Sequence, residues 1–213
     1  EGTVVGSTDT ERPSWQVGTR FEWTPDVMFY ALASAGFKGA GFNSVPTTGE
    51  LEEVAAEIAE NYEVGAKVRW ADGRVRTNVT VFRTDFKDFQ AQVNTPKEDE
   101  GVLVNKLVNA GALRTEGIEL EAEAIVWHGF ALTLNGAYVD ARFTEFPNGP
   151  CYTAMSTAGL CPLGYTDLSG GVLPNSPKLS YNVGAKQDIA LASMPFDLSL
   201  RADYAWRDEI QWA

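Results

Sequence analysis

The chain has 213 residues and a net charge of −12, from 29 acidic and 17 basic side chains. So acidic a balance argues against nucleic-acid binding, which wants a basic face. Mean hydropathy is −0.18 and no stretch reaches the roughly 18 apolar residues of a spanning helix, but a barrel strand shows lipid only every second residue and keeps mean hydropathy low.

A two-residue beat recurs along the chain, as expected where successive strand side chains point to opposite faces. The first predicted strand is about Trp15 to Trp23, with Trp15, Val17, Thr19, Phe21 and Trp23 on one face. A tight turn at Thr24-Pro25-Asp26 leads to a second strand, about Val27 to Phe37. A long connection, Lys38 to Glu60, follows. Within it Leu51, Val54, Ala55 and Ile58 fall at helical spacing, so a short acidic helix over 50–60 and an irregular loop are both open.

The third strand, Asn61 to Trp70, ends at a hairpin turn carrying the Asp72-Gly73 signature. The fourth runs from about Val75 to Gln92. Its alternation slips near Phe82-Arg83, which calls for a bulge or for extension beyond the lipid zone. A second long connection, about Val93 to Val108, precedes the fifth strand, Asn109 to Val126. There Glu119, Glu121 and Glu123 oppose Ile118, Leu120, Ala122 and Ala124. Three carboxylates facing lipid would be very costly, whereas a water-filled wall solvates them. A short turn at Trp127-His128-Gly129 opens the sixth strand, about Phe130 to Phe143. The longest connection, about Thr144 to Pro177, holds both cysteines. The seventh strand is about Lys178 to Leu191, and after a short turn the eighth, from Phe196 to Arg207, sets Phe, Leu, Leu, Ala, Tyr and Trp against Asp, Ser, Arg, Asp, Ala and Arg.

Short turns follow strands one, three, five and seven, and long loops follow two, four and six. Together with aromatic-ended apolar faces, this is the layout of an all-β, antiparallel up-and-down meander in a transmembrane β-barrel, short turns periplasmic and long loops outside. Lipid-facing positions are then Tyr62, Val64, Val68, Leu120, Leu132, Leu134, Leu179, Tyr181, Val183, Leu198 and Leu200. The lumen receives Glu63, Lys67, Arg69, Glu119, Glu121, Glu123, Lys186, Arg201 and Asp203. Trp15, Trp23, Trp70 and Trp206 fall near the aromatic girdles.

Sites for chemistry are sparse. Gly39-Ala40-Gly41 lacks the βαβ context of a nucleotide turn. The single His128 sits in a turn, and the glutamate row follows one line without converging on a metal. Asn78-Val79-Thr80 matches a glycosylation sequon but lies inside a strand. No nucleophile motif occurs, so the chain is not expected to be an enzyme, and no cofactor is implied. Cys151 and Cys161 lie close together in a Gly/Pro/Ser/Thr-rich stretch without a nearby histidine, which favours a disulfide in an oxidising compartment over zinc or free thiols.

Five stretches, in order, resemble the TonB-dependent receptors, 22-stranded active transporters of the Gram-negative outer membrane. They are Gly36 to Asn43 (family GFKSGGFN), Glu57 to Lys67 (PE…YELGxK, with Ala56 where the family usually has Pro), Asn78 to Gln90 (a strand ending in DYKDxQ), Asn109 to Glu121 (NAGxARSxGxExE, with Leu113 adding bulk) and Leu173 to Lys178 (LPNAPK). The resemblance implies that residues 1–213 are part of a barrel domain whose plug, energy-coupling box and closing strand are absent. It implies a ferric siderophore as cargo, with cobalamin or an oligosaccharide as other candidates, and as partners outer-membrane lipid and the TonB complex through the missing N-terminal region. The alternatives are a complete eight-stranded barrel (adhesin, enzyme or pore) and a soluble β-sandwich binding protein. On the receptor reading Lys38, Phe42, Asn43, Arg142, Phe143, Tyr152 and Tyr165, near the outer strand ends and loops, are the candidate ligand contacts.

Overall fold

The structure is a computed structural model that describes residues 6–43, 51–96, 103–151, 157–159, 161, 165–192 and 195–210. Its elements in chain order are β1 (Trp15–Thr24), β2 (Val27–Lys38), β3 (Gly41–Phe42), β4 (Glu53–Val54), β5 (Glu57–Trp70), β6 (Val75–Lys87), β7 (Gln90–Pro96), β8 (Leu103–Asn109), β9 (Ala112–Trp127), β10 (Phe130–Glu145), β11 (Gly149–Pro150), β12 (Tyr165–Thr166), β13 (Leu179–Ile189) and β14 (Leu198–Arg207). Eight long strands form one antiparallel sheet in the order β1-β2-β5-β6-β9-β10-β13-β14. The short strands pair among themselves as β3-β4, β7-β8 and β11-β12, within the three long connections. No helix among the described residues is long and apolar enough to cross a membrane.

Cross-strand partners share a face, so the register sorts the whole sheet. One row reads Gln16, Ser34, Asn61, Thr84 and Thr115. A lower one on the same face reads Glu22, Met28, Lys67, Asn78, Glu121, Asn135 and Asn182. The opposite face carries Phe21, Phe29, Ala66, Val79, Leu120, Gly136, Tyr181 and Trp206 on one row. Large apolar groups there stand exposed: Val17 at 68%, Phe21 at 61% and Val64 at 55%. A single-layer sheet with an exposed apolar face and a polar reverse is the wall of a transmembrane barrel. Every residue assigned above to lipid or lumen falls on its expected face of the sheet.

The upper edge of the apolar face is marked by Trp15, Tyr62, Tyr138 and Trp206. Each lies two residues further down the sheet than the previous one as the sheet is crossed from β1 to β14. A level membrane boundary crosses the rows obliquely when strands tilt, as closure of a barrel requires. At the other edge Trp23 and Trp70 remain exposed, and Trp127 stacks on Phe130 with centroids 4.2 Å apart.

Above this edge the two faces exchange character. Outward positions become Glu60, Arg83, Asp85, Lys87, Arg114, Glu116, Asp140 and Arg142, while the inward row becomes Phe86, Leu113 and Phe143. The slip in alternation at Phe82-Arg83 is this exchange. The register of β6 runs without a bulge through both neighbours, so extension beyond the lipid zone is the correct one of the two sequence readings. The fourth strand also ends sooner than expected. Asp88 adopts a left-handed φ of 51°, and the chain turns into the β7-β8 hairpin, where the sequence suggested only a connection.

Residues 50–60 form no helix within the described part. Glu53–Val54 pairs with Gly41–Phe42, and β5 begins at Glu57 beside Lys38. Helical spacing of Leu51, Val54, Ala55 and Ile58 loses to the ladder with β2 and to burial of Val54, only 2% exposed.

Candidate functional site

The candidate site is the outer mouth of the inner face, where three loops are knitted together. The inward row Phe86, Leu113 and Phe143 supports a small apolar core. Val93, Ala110, Leu113, Phe143 and Phe146 are buried in it, with Phe89, Leu168 and Leu173 packed against them. Phe89 meets Phe86 and Phe143 edge-on, at centroid distances of 5.8 and 6.3 Å. This core joins the second loop (β7-β8) to the third (between β10 and β13).

The first and second loops meet through polar groups instead. The Asn43 side chain mimics a strand neighbour of Leu107: its Nδ2 donates to the Leu107 carbonyl at 3.0 Å and its Oδ1 accepts the Leu107 N–H at 2.7 Å. Gln90 is 7% exposed. Its Nε2 donates to the carbonyls of Gly39 and Ala55 at 3.0 and 2.9 Å, and its N–H donates to Glu57 Oε2 at 2.8 Å. Asn109 accepts the Ala55 N–H at 2.8 Å and donates to the Ala55 and Asp88 carbonyls. A Lys106–Glu52 ion pair joins the same two loops. Asn43, Glu57, Gln90 and Asn109 come from four of the five family-like stretches and converge here. Sequence reading singled out Asn43 alone of the four. The signal for the others was their place in those stretches, since each is a small polar group beside a turn that must satisfy buried carbonyls.

The other sequence candidates are placed as follows. Lys38 ends β2, exposed, opposite Glu57 in register. Phe42 is half-buried in β3. Arg142 lies on the outward face, with Nε on Asp140 at 2.8 Å and Nη1 donating to the Gly170 carbonyl. Phe143 is inside the apolar core, 4% exposed. Tyr165 is 48% exposed on β12. Tyr152 lies outside the described residues. A disulfide joins Cys151 to Cys161 with Cα atoms 6.1 Å apart, and it closes the loop next to the β11-β12 pair. In the same loop Ser169 donates its N–H to Asp167 Oδ1 at 2.9 Å and its Oγ accepts the Phe146 N–H. Hydrogen bonds from the Ser169 hydroxyl and backbone hold the Asp167 carboxyl below its ordinary range.

Further down, the inner face is charged. Lys67, Arg69 and Arg76 stand beside Glu121 and Glu123 around a recess of about 710 Å³. Asn78 Nδ2 donates to Glu121 Oε2 at 3.1 Å, and Lys67 Nζ stands 5.7 Å from the centroid of the Tyr30 ring. Among the described residues no cluster of His, Cys, Asp and Glu could hold a metal ion.

An outward apolar band, an inward polar wall and loops gathered at one mouth define a piece of an outer-membrane β-barrel wall. The family model for the TonB dependent receptor-like β-barrel matches residues 2–213, and the chain belongs to that family. This places it in the outer membrane, among receptors and not enzymes. It is 29% identical over 188 residues to the pesticin receptor of Yersinia pestis, covering 84% of this chain and 26% of that protein. The ferric yersiniabactin uptake receptor FyuA of Yersinia pestis superposes with a TM-score of 0.59 at 24% identity, over 83% of this chain and 23% of that one. The siderophore receptor PiuA of Acinetobacter baumannii does so with 0.63 at 19% identity, over 92% and 26%. The chain thus spans about a quarter of the length of the curated relatives it matches.

Proposed function

We propose that the parent protein is an outer-membrane receptor that imports a ferric siderophore, energised through TonB, and that these residues are eight consecutive strands of its 22-stranded barrel wall. The observation that carries the reading is the inward-folded layer of outer loops at the mouth of a polar wall, in a chain of this family. The relatives described as siderophore receptors support this cargo class over cobalamin or a saccharide. The open sheet supports a larger barrel over a complete small one, because β1 and β14 each have a single neighbour and do not pair with each other. The plug domain belongs to the remainder of the parent protein.

Among the candidate contacts, Lys38, Phe42 and Tyr165 best suit cargo, since Phe143 is spent in the core and Arg142 faces away from the mouth. Transport of radioiron by a strain lacking the gene, offered a panel of ferric siderophores, tests the function. Loss of uptake for one siderophore, restored by the gene, is expected. Unchanged uptake across the panel, with cobalamin or a saccharide lost instead, would overturn the cargo.

A further inference from the structure

We propose that the cargo of this receptor is a ferric chelate of low net charge, neutral or singly charged, and that β2, β5, β6 and β9 hold it against an uncharged stretch of inner wall beneath the loops. The proposal rests on the siderophore reading above and narrows it by charge. The second and third loops pack on the inward row Phe86, Leu113 and Phe143. The next inward row is the first stretch of wall below that layer. It reads Gln16, Ser34, Asn61, Thr84 and Thr115. The inward row beneath it reads Gly18, Leu32, Glu63, Phe82, Gly117 and Val139. Amides and hydroxyls thus border Leu32 and Phe82. Such a mixed surface holds a small guest by its hydrocarbon frame and orients it with a few polar contacts.

The cations at this height are placed elsewhere. Arg83, Lys87, Arg114 and Arg142 stand on the outward face, each against a carboxylate of Asp85, Glu60 or Asp140. On the inward face above the row of Tyr30, charge cancels among the described residues of the sheet. Lys38 is opposite Glu57 in register. Lys178 lies two residues before the inward Ser180, and its carbonyl accepts the Val139 N–H, which brings it to the row of Glu63. A trianionic chelate drawn beneath the loops would shed water and meet as many carboxylates as cations on this wall, so its desolvation would go uncompensated. A chelate of little net charge loses less, and neutral donors and acceptors suffice to hold it. Thr84 donates its hydroxyl to Asn61 Oδ1 at 2.8 Å. Asn61 Nδ2 has no partner among the described residues, so its N–H groups remain for the oxygens of a guest.

The test is gene-dependent radioiron uptake with the full-length receptor and three sets of probes: neutral ferric tris-hydroxamates, singly charged ferric phenolates and trianionic ferric tris-catecholates. Uptake of a chelate from the first two sets is expected. Gene-dependent uptake of any tris-catecholate, alone or beside the others, would overturn the proposal while leaving the siderophore reading intact. Uptake of no ferric chelate would overturn both. For the chelate taken up, the Kd of the purified receptor should change less than about twofold between about 0.05 and 0.5 M salt, since no strong attraction of opposite charges is there to be screened. Weakening of about tenfold over that range, the mark of a charged cargo, would also overturn it. The double variant Asn61→Leu/Thr84→Val should bind about tenfold more weakly, as expected for two lost neutral hydrogen bonds, while Arg83→Gln on the outward face binds as the native protein does. Undiminished binding by the double variant would overturn the assignment of this wall. If the double variant does not fold, the probe comparison and the salt dependence of the native receptor still decide.

Discussion

Placing an arginine at Ala122 should test the facing of the sheet more sharply than any other single change. Ala122 is an outward position of β9, on the row of Val68, Thr77, Leu134 and Val183. The apolar run of that strand extends from Ile118 to Val126. At a rise of about 3.3 Å per residue and a tilt near 40°, its ends differ in height by about 20 Å, which puts Ala122 near mid-band. Alanine has almost no side chain to lose, so the cost of Ala122→Arg is that of a charge in hydrocarbon, about 2–4 kcal/mol. The same change at Ile118, beside the edge, should cost about 0–1 kcal/mol because the long side chain can reach the headgroups. Glu121→Arg, one residue away and inward, places its charge in water and should cost less than Ala122→Arg. The assay is the urea midpoint of the full-length receptor folded into phospholipid vesicles. Equal losses at Ala122 and Ile118, or a larger loss at Glu121 than at Ala122, would refute both the facing and the depth assigned here.

Four further outcomes follow from particular contacts. A Cβ at Gly65 would fall 2.5 Å from the Tyr30 ring, so Gly65→Val should cost about 1–3 kcal/mol of barrel stability, and Tyr30→Ser in the same molecule should recover part of it in the vesicle assay. Gln90→Met keeps the size but removes the donors to the Gly39 and Ala55 carbonyls, about 1–3 kcal/mol of local stability; hydrogen exchange should quicken at Leu107 and Ala55 and stay unchanged at Phe143. Cys151→Ser should loosen the third loop by about 2–3 kcal/mol, read as faster proteolytic nicking there with an unaltered barrel. The Asp167 carboxylate has its pKa lowered by Ser169, so its contribution is present above the ordinary carboxylate range and lost as pH falls through the lowered value. Protection of the Phe146 and Ser169 amides, measured against their intrinsic exchange rates, should therefore hold down to about pH 4 and fall below it, and Asp167→Asn should remove that step.

The barrel wall was legible in the sequence because its signal is local. A strand between lipid and water must alternate, and Val17, Val64, Leu120 and Leu200 each announce their face from their neighbours alone. The loops were legible only in part. Leu51, Val54, Ala55 and Ile58 carry helical spacing, yet their segment is set by pairing to Gly41–Phe42 and to β2, which no local pattern reveals. Phe143 read as a contact for cargo because it ends a strand beside a long loop. It is buried because Val93 and Ala110 arrive from elsewhere in the chain to cover it, together with Phe146 just beyond it. Asn43 likewise read as a candidate ligand contact, and its partner Leu107 lies 64 residues away.

The exchange of faces above the aromatic edge explains why these loops fold as they do. Within the bilayer, the outward side of each strand must be apolar and the inward side can be wet. Beyond the bilayer the outward side meets headgroups and water, so apolar residues there would gain nothing, and Arg83, Asp85, Arg114 and Asp140 take their place. The strands continue past the edge and still need an apolar face to hold anything. That face can only be the inner one, and Phe86, Leu113 and Phe143 form it. Loops packed on it are drawn over the mouth and not away from it. The gathering of the loops over the mouth thus follows from where the bilayer ends on each strand, and the apolar core that holds the second and third loops exists because that boundary falls below Phe86 and Phe143.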